Sequence, residues 1–447
     1  MKDNGGKKKI ETDARIGDAS ELRRQVHDIV RATPVIDVHT HLFPSKFETL
    51  SLSGIDEVLT YHYLIAEAFR FTSVAPETFW RMPKLHQADL VWKTLFVERT
   101  PISEAARGVI TILKTFDLDV CAQDLTEARE FFRSADIQTH TDHVFEMACV
   151  ESVVMTNDIF DTDEMTIWHR DSDRDPRFHS SLRMDRLINH WKHTAERLSM
   201  VGLSLGVDLC NKTISAIRQY IDECIERLSP LYLALSLPDD FHFPADDHRH
   251  RIISDVVLPT ARENGLPVAL MVGVRRGVNP ALKAAGDGVG RADVSSIERM
   301  CLENPHVRFM ATFLSRENQH ELCVAARKFG NLMPFGCWWF LNNPSIVEEV
   351  TTERLELLGT SFIAQHSDAR VLEQLIYKWH HSRELIGDCL YRSYENLLRA
   401  GRRVSRPEIE RDVEALFSGN FGRWAGSENG LSDLCLAEEA KAQSEIR

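Results

Sequence analysis

The sequence predicts an α/β fold: a single (β/α)8 barrel of the TIM type with a helical insertion after its first strand. Three observations carry that prediction. Eight short β-rich runs alternate with helix-like segments, the signature of βαβ units, and eight such units close a parallel barrel. At 447 residues the chain is long for one ordinary domain but suits one large barrel with extra helices. Its 43% hydrophobic residues supply a large core and its 27% charged residues an ordinary soluble surface, which excludes a chain disordered throughout.

The elements follow in order. Residues 1–19 are polar and rich in Gly and Lys and are expected as a flexible arm, residues 20–425 as the barrel domain, and residues 426–447 as a polar tail. Ser20 and Glu21, followed by Leu22, Val26, Ile29 and Val30, predict a capped helix that ends before Pro34. Val35-Ile36-Asp37-Val38 then reads as a buried strand. The interval 44–142 breaks the rhythm and reads as helical. Ser53 with Asp56 resembles a capping box before Val58, Leu59, Leu64 and Ile65, and Thr100-Pro101 opens another helix with proline in its first turn. The remaining seven strands are expected at 150–155, 180–184, 231–237, 268–274, 307–313, 332–340 and 361–365.

Charge narrows the partners. The 53 basic against 67 acidic residues give −14, which repels nucleic-acid phosphates and anionic lipid, while a local cationic pocket would still concentrate a small anion. Nine cysteines, an odd number with no CxxC pair, read as reduced thiols of a cytoplasmic protein. The lysine run near the N-terminus has no apolar stretch after it, and no uncharged apolar run is long enough to span a bilayer. Neither a secretion signal nor a membrane span is expected.

The chemistry concentrates at two places. The first strand ends in His39-Thr40-His41, and alternate strand residues share a face, so both imidazoles point into the barrel mouth, where barrel active sites are built. A second His-x-His, His248-Arg249-His250, sits in a charged helix start and reads as solvated. After the eighth strand comes Ser367-Asp368-Ala369-Arg370, and strand 8 adjoins strand 1 in a closed barrel, which brings Asp368 beside His39 and His41. Two imidazoles and a carboxylate suit zinc or manganese, with coordination positions left for water or substrate oxygens.

These segments, with His62-Tyr63, Leu182-Arg183-Met184-Asp185, Val272-Gly273 followed by Arg275-Arg276, Gly286-Asp287-Gly288 and Gly336-Cys337-Trp338-Trp339-Phe340, resemble the uronate isomerases of the amidohydrolase superfamily over most of the chain. The resemblance implies a distorted, metal-dependent-hydrolase-like barrel. It also implies aldose–ketose isomerisation of a hexuronate through an enediol, of the glucuronate-to-fructuronate or galacturonate-to-tagaturonate type. On that basis Asp368, His62 and Tyr63 are the catalytic candidates. Arg183, Arg370, Trp338, Trp339 and Arg275 are candidates for binding substrate, with His39, His41 and Asp368 holding the metal. The expected partners are a small sugar acid and further copies of the chain, with neither nucleic acid nor membrane.

The chain departs from the family at three points. Met271 stands where the family carries a strand-5 histidine, Asp239-Asp240 follows strand 4 in place of Asp-His, and Ala369 replaces a serine. A thioether is neither a base nor a strong acceptor, so any role of that histidine is either lost or supplied elsewhere, by His242 or His366. Two alternatives stand beside the isomerase: a metal-dependent hydrolase or decarboxylase of the same superfamily, and a sugar-acid-binding protein that has lost catalysis. Against the hydrolase, neither Leu270-Met271 nor Arg308-Phe309-Met310 supplies the histidines of a binuclear centre. Among the arginines, adjacent residues cannot both point inward, so Arg275 and Arg276 compete; Arg183 also has Asp185 within reach as a structural ion partner.

Overall fold

The computed structural model describes residues 15–170, 175–200 and 205–426. The strands are β1 (Val35–Thr40), β2 (Val150–Asn157), β3 (Phe178–Arg183), β4 (Leu233–Pro238), β5 (Val268–Arg275), β6 (Gly288–Val289), β7 (Phe309–Phe313) and β8 (Leu332–Pro334). Seven form one curled parallel sheet in the order β1-β2-β3-β4-β5-β7-β8, and β6 hooks antiparallel onto the end of β5.

Alternation along the strands sorts the core into two layers. Ala234, Ala269, Met271 and Met310 pack with Ile36, Val154 and Phe335 inside the barrel, while their sequence neighbours Leu233, Leu235, Val268, Leu270, Phe309 and Ala311 pack outward against the helices. A parallel strand buried on both faces has no polar side, which explains why these runs read as continuously apolar. Near its C-terminal end β1 breaks this phase. Asp37 pairs with Val153 and Thr40 with Met155, so three steps on β1 oppose two on β2. This bulge re-aims the strand end, and Ile36 and Val38 as well as His39 then face the interior.

The eighth strand is not a strand. Around residues 361–369 the ladder survives as one bridge, Phe335 to Ile363, and the segment then reaches β1 through Asp368 N to His39 O at 3.1 Å and His41 N to Ala369 O at 2.7 Å. Side chains complete the seam. Asp37, fully buried, accepts from the Ser367 amide at 3.0 Å and the Trp379 indole at 2.8 Å. Burial pushes its carboxyl up to about 6 against the pull of those bonds.

Other expectations shift in detail. The first helix is Ala19–Ala32, capped by Asp18 rather than Ser20, and Ile16 already pairs with Val404, so the expected arm ends short of residue 15. The rest of that arm, and all but residue 426 of the expected tail, lie outside the described residues. In the helical interval, Gly54 rather than Ser53 precedes Ile55–Leu59, and Ser103, not Thr100-Pro101, caps Glu104–Thr115. The seventh strand stops at Pro334, because Gly336 takes φ +59° and a 3-10 turn spans Trp339–Leu341. All eight described cysteines are free thiols.

Candidate active site

At the C-terminal ends of the strands lies a chamber of about 110 Å³ lined by His39, His41, His62, Arg183, Trp338, Trp339, Asp368 and Arg370, eight of the ten residues singled out from the sequence. Asp368 sits on the seam at φ +52° with its carboxylate turned to the two imidazoles: Oδ1 lies 3.4 Å from His41 Nε2 and 3.7 Å from His39 Nε2.

Hydrogen-bond accounting assigns the tautomers. Tyr232 donates its one hydroxyl proton to Val38 O at 2.7 Å, so at 3.3 Å from His39 Nδ1 it accepts. Thr156 likewise donates to Thr40 O at 3.1 Å and accepts from His41 Nδ1 at 2.7 Å. Both Nε2 atoms therefore present lone pairs, and burial drives both imidazoles below their ordinary pKa, which keeps them neutral. Burial opposes ionisation of Asp368, and the neighbouring imidazoles hold its carboxyl low only where they carry a proton; as a carboxylate it is acceptor-only.

Three acceptors therefore converge with no proton between them. The ligand atoms lie within 4.8 Å of one another, and Asp368 Oδ1 is buried without a hydrogen-bond partner. A divalent cation is the group that satisfies such a set, and hydroxyl partners on the far nitrogens are what metal-binding histidines require. Among the described residues this is the one such cluster. His248, by contrast, bonds the Ile188 carbonyl at 3.0 Å.

Around the cluster the lining is cationic and aromatic. Arg183 is held at Nε by Asp185, 2.7 Å away, so the structural ion pair and a place on the chamber wall coexist. Arg276, not Arg275, is the inward member of that pair. It lines the chamber, bonds Asp287 at 2.5 Å and lies 5.6 Å over the Trp339 ring, whereas Arg275, beside Asp239, lines the outer cleft and not the chamber. Trp338 and Trp339 lie past the end of β8 and so escape strand alternation; both line the chamber.

His62 and Tyr63 separate because the helix His62–Ala68 begins at His62. His62 faces the chamber and an adjoining cavity, while Tyr63 lines only the latter. Burial pushes the His62 imidazole down to about 3 and the Tyr63 phenol well above its usual value. Of the two substitutes for the missing strand-5 histidine, His242 is largely exposed near Asp293. His366 is buried with its ring 5.2 Å from His39 and both nitrogens unpartnered.

Sequence reasoning missed Thr156, Ser236 and Tyr61 on the chamber wall, and Tyr232 beneath it. Thr156 and Ser236 stand at the ends of β2 and β4, where barrel sites are built, and that position was the available signal. Tyr232 reaches His39 across the barrel interior, which no local pattern reveals.

No family profile matches the chain, and no curated protein sequence does. Solved structures do. A uronate isomerase from Bacillus halodurans C-125 is 48% identical, with TM-score 0.91, covering 94% of this chain and 99% of its own. A uronate isomerase from Thermotoga maritima (14% identity, TM-score 0.75, 91% and 97% covered) and a glucuronate isomerase from Caulobacter crescentus (15%, 0.66, 91% and 94%) share the fold.

Proposed function

Because this chain belongs to the uronate isomerase family, we propose that it interconverts a hexuronate aldose and its ketose, glucuronate with fructuronate or galacturonate with tagaturonate. The observation that carries the reading is the pairing, in one chamber, of an acceptor-only candidate metal cluster with the guanidiniums of Arg183 and Arg370. Such a site takes a small anion rich in hydroxyls. A divalent metal on His39, His41 and Asp368, zinc or manganese, supplies a Lewis-acid anchor for carboxylate and hydroxyl oxygens.

The chain's own residues do the rest. Arg183 and Arg370 grip the carboxylate, and Trp338 and Trp339 offer faces to the sugar C–H groups. His62, which faces both cavities, accepts the proton from C2 and returns it to C1; Tyr63, kept protonated, donates to a substrate oxygen. His366, deep and unpartnered, is the better placed substitute for the lost strand-5 histidine.

A binuclear hydrolase is not favoured: Met271 lines the chamber and no second metal cluster occurs among the described residues. No described helix is long and apolar enough to cross a membrane. We take the protein as a cytoplasmic homo-oligomer that engages no nucleic acid.

The test is incubation of metal-loaded protein with a panel of hexuronates in heavy water, following ketose formation and deuterium entry by NMR. Ketose with deuterium at the reacting carbon is expected. A panel left without exchange overturns the isomerase and leaves a sugar-acid-binding protein.

A further inference from the structure

Beside the chamber of the candidate metal cluster lies a cavity of about 240 Å³ that shares His62, Trp339 and Ala284 with it. Ala66, Ala285 and Phe340 give it apolar walls, yet it also holds Lys378, a side chain only 4% exposed within the helix Gln374–Arg399. Lys378 has no hydrogen bond or ion pair with any described residue. Its ammonium lies over the rings of Tyr63 and Tyr377, 5.3 and 5.7 Å from their centroids.

The carboxylates that line the same cavity are already engaged: Glu104 accepts from His381 at 2.5 Å and Arg107 at 3.1 Å, and Glu67 from Ser103 at 2.6 Å. Burial accordingly pushes the amine down to about 8 despite the attraction of Asp368 and Glu104. Three further lining groups, His62 Nε2, Tyr63 Oη and Trp339 Nε1, are buried without partners.

Lysine and tryptophan are donors only, and a phenol with no partner donates readily, so the cavity is complementary to oxygen atoms that carry or gain negative charge. The metal chamber alone, at about 110 Å³, falls well below the ~300 Å³ of ordinary small-molecule sites. A six-carbon acid held there by its carboxylate must extend beyond it.

We propose that the substrate spans both cavities, its carboxylate on Arg183 and Arg370 and its carbonyl end past His62, where Lys378 is a further catalytic residue that receives the enediolate oxygen. The proposal rests on the isomerase reading. When His62 takes the C2 proton, the C–H electron pair becomes the C1–C2 double bond and the carbonyl pair moves onto O1, which accepts a hydrogen bond from the Lys378 ammonium. The proton then returns to C1, O2 loses its own proton to O1, and the carbonyl stands at C2; nothing outside the substrate is oxidised or reduced.

Lys378→Met tests it. Loss of a donor at a developing oxyanion should lower kcat ~100-fold, with metal per chain unchanged and the unfolding midpoint unchanged or raised, because a buried unpaired cation has been removed. A lysine that serves only packing predicts the reverse, unchanged kcat and a lower midpoint, and that result overturns the proposal.

Calorimetry gives an arm independent of turnover. Wild-type protein should bind a six-carbon aldarate, with a carboxylate at each end, ~10-fold or more tighter than the matching aldonate, and Lys378→Met should lose that preference. A preference that survives the substitution overturns the proposal. If wild-type protein turns over no hexuronate, the isomerase reading falls while the aldarate preference still decides the lysine. Lys378→Gln, carried through both arms, decides where the methionine variant fails to fold.

Discussion

Asp185 holds Arg183 by the middle: its Oδ2 takes the Nε proton at 2.7 Å, and its Oδ1 takes the Ser236 amide at 2.6 Å. The guanidinium is thus fixed to the end of β4 while its terminal nitrogens remain available at the chamber wall. Arg183→Met should raise KM for the uronate by roughly 10- to 100-fold, the value of one charge-assisted contact, with metal content unchanged. Asp185→Asn, which turns an amide donor toward Nε, should raise KM by less. Steady-state kinetics with parallel metal analysis reads both.

The hydroxyls of Tyr232 and Thr156 should matter to metal affinity although neither touches the ion. Tyr232→Phe and Thr156→Val each release one imidazole to take the other tautomer, and each should weaken metal binding about 10- to 100-fold, as measured by competition with a chromogenic chelator. Asp368→Asn should lower bound metal per chain outright.

A buried carboxyl beneath the strand ends gives a pH signature. Glu164 accepts from the Asn157 amide and the Asp158 backbone, and burial above all, with Asp158 nearby, pushes it up to about 7 from an ordinary 4.5. Its proton is bound in the folded state and released in the unfolded one across that window. The stability it contributes is therefore full below pH 4.5 and lost as pH rises through about 7, roughly 3 kcal/mol in all. Glu164→Gln should flatten the decline in urea-derived stability between pH 5 and 7.5 relative to wild type; parallel curves would place the titration elsewhere.

Gly336 has φ +59°, and a Cβ there would stand 2.0 Å from Cδ2 of His366. Gly336→Ala should cost about 1–3 kcal/mol from overpacking, seen as a lower denaturant midpoint with an unchanged slope.

What could be read in advance follows physical lines. Seven strands were legible because sheets buried on both faces leave continuous apolar runs, and His39, His41, Asp368 and Arg370 because strand ends announce the barrel mouth. The eighth strand misled because Phe362-Ile363-Ala364 has strand-like composition, while Asp37, Ser367 and Trp379 replace the ladder with side-chain bonds. Nothing local fixes which of the adjacent Arg275 and Arg276 faces inward; Asp287, eleven residues past Arg276, holds Arg276 at the chamber. Lys378 did leave a trace, one lysine inside the apolar run Leu375-Ile376-Tyr377-Lys378-Trp379, which is also where its burial comes from.

The irregular seam between residues 361–369 and β1 makes Asp368 part of a latch. The three candidate metal ligands straddle that join, His39 and His41 on the β1 side and Asp368 on the other, with Asp368 N donating to His39 O. An ion gripping both sides would rivet the ring shut, and its binding free energy would also be hoop strength for the whole barrel. Chelation should therefore speed amide exchange first along residues 361–369 and β1, far ahead of the opposite wall formed by β4 and β5. The chain's ability to work and its ability to stay closed would then be drawn from one and the same joint.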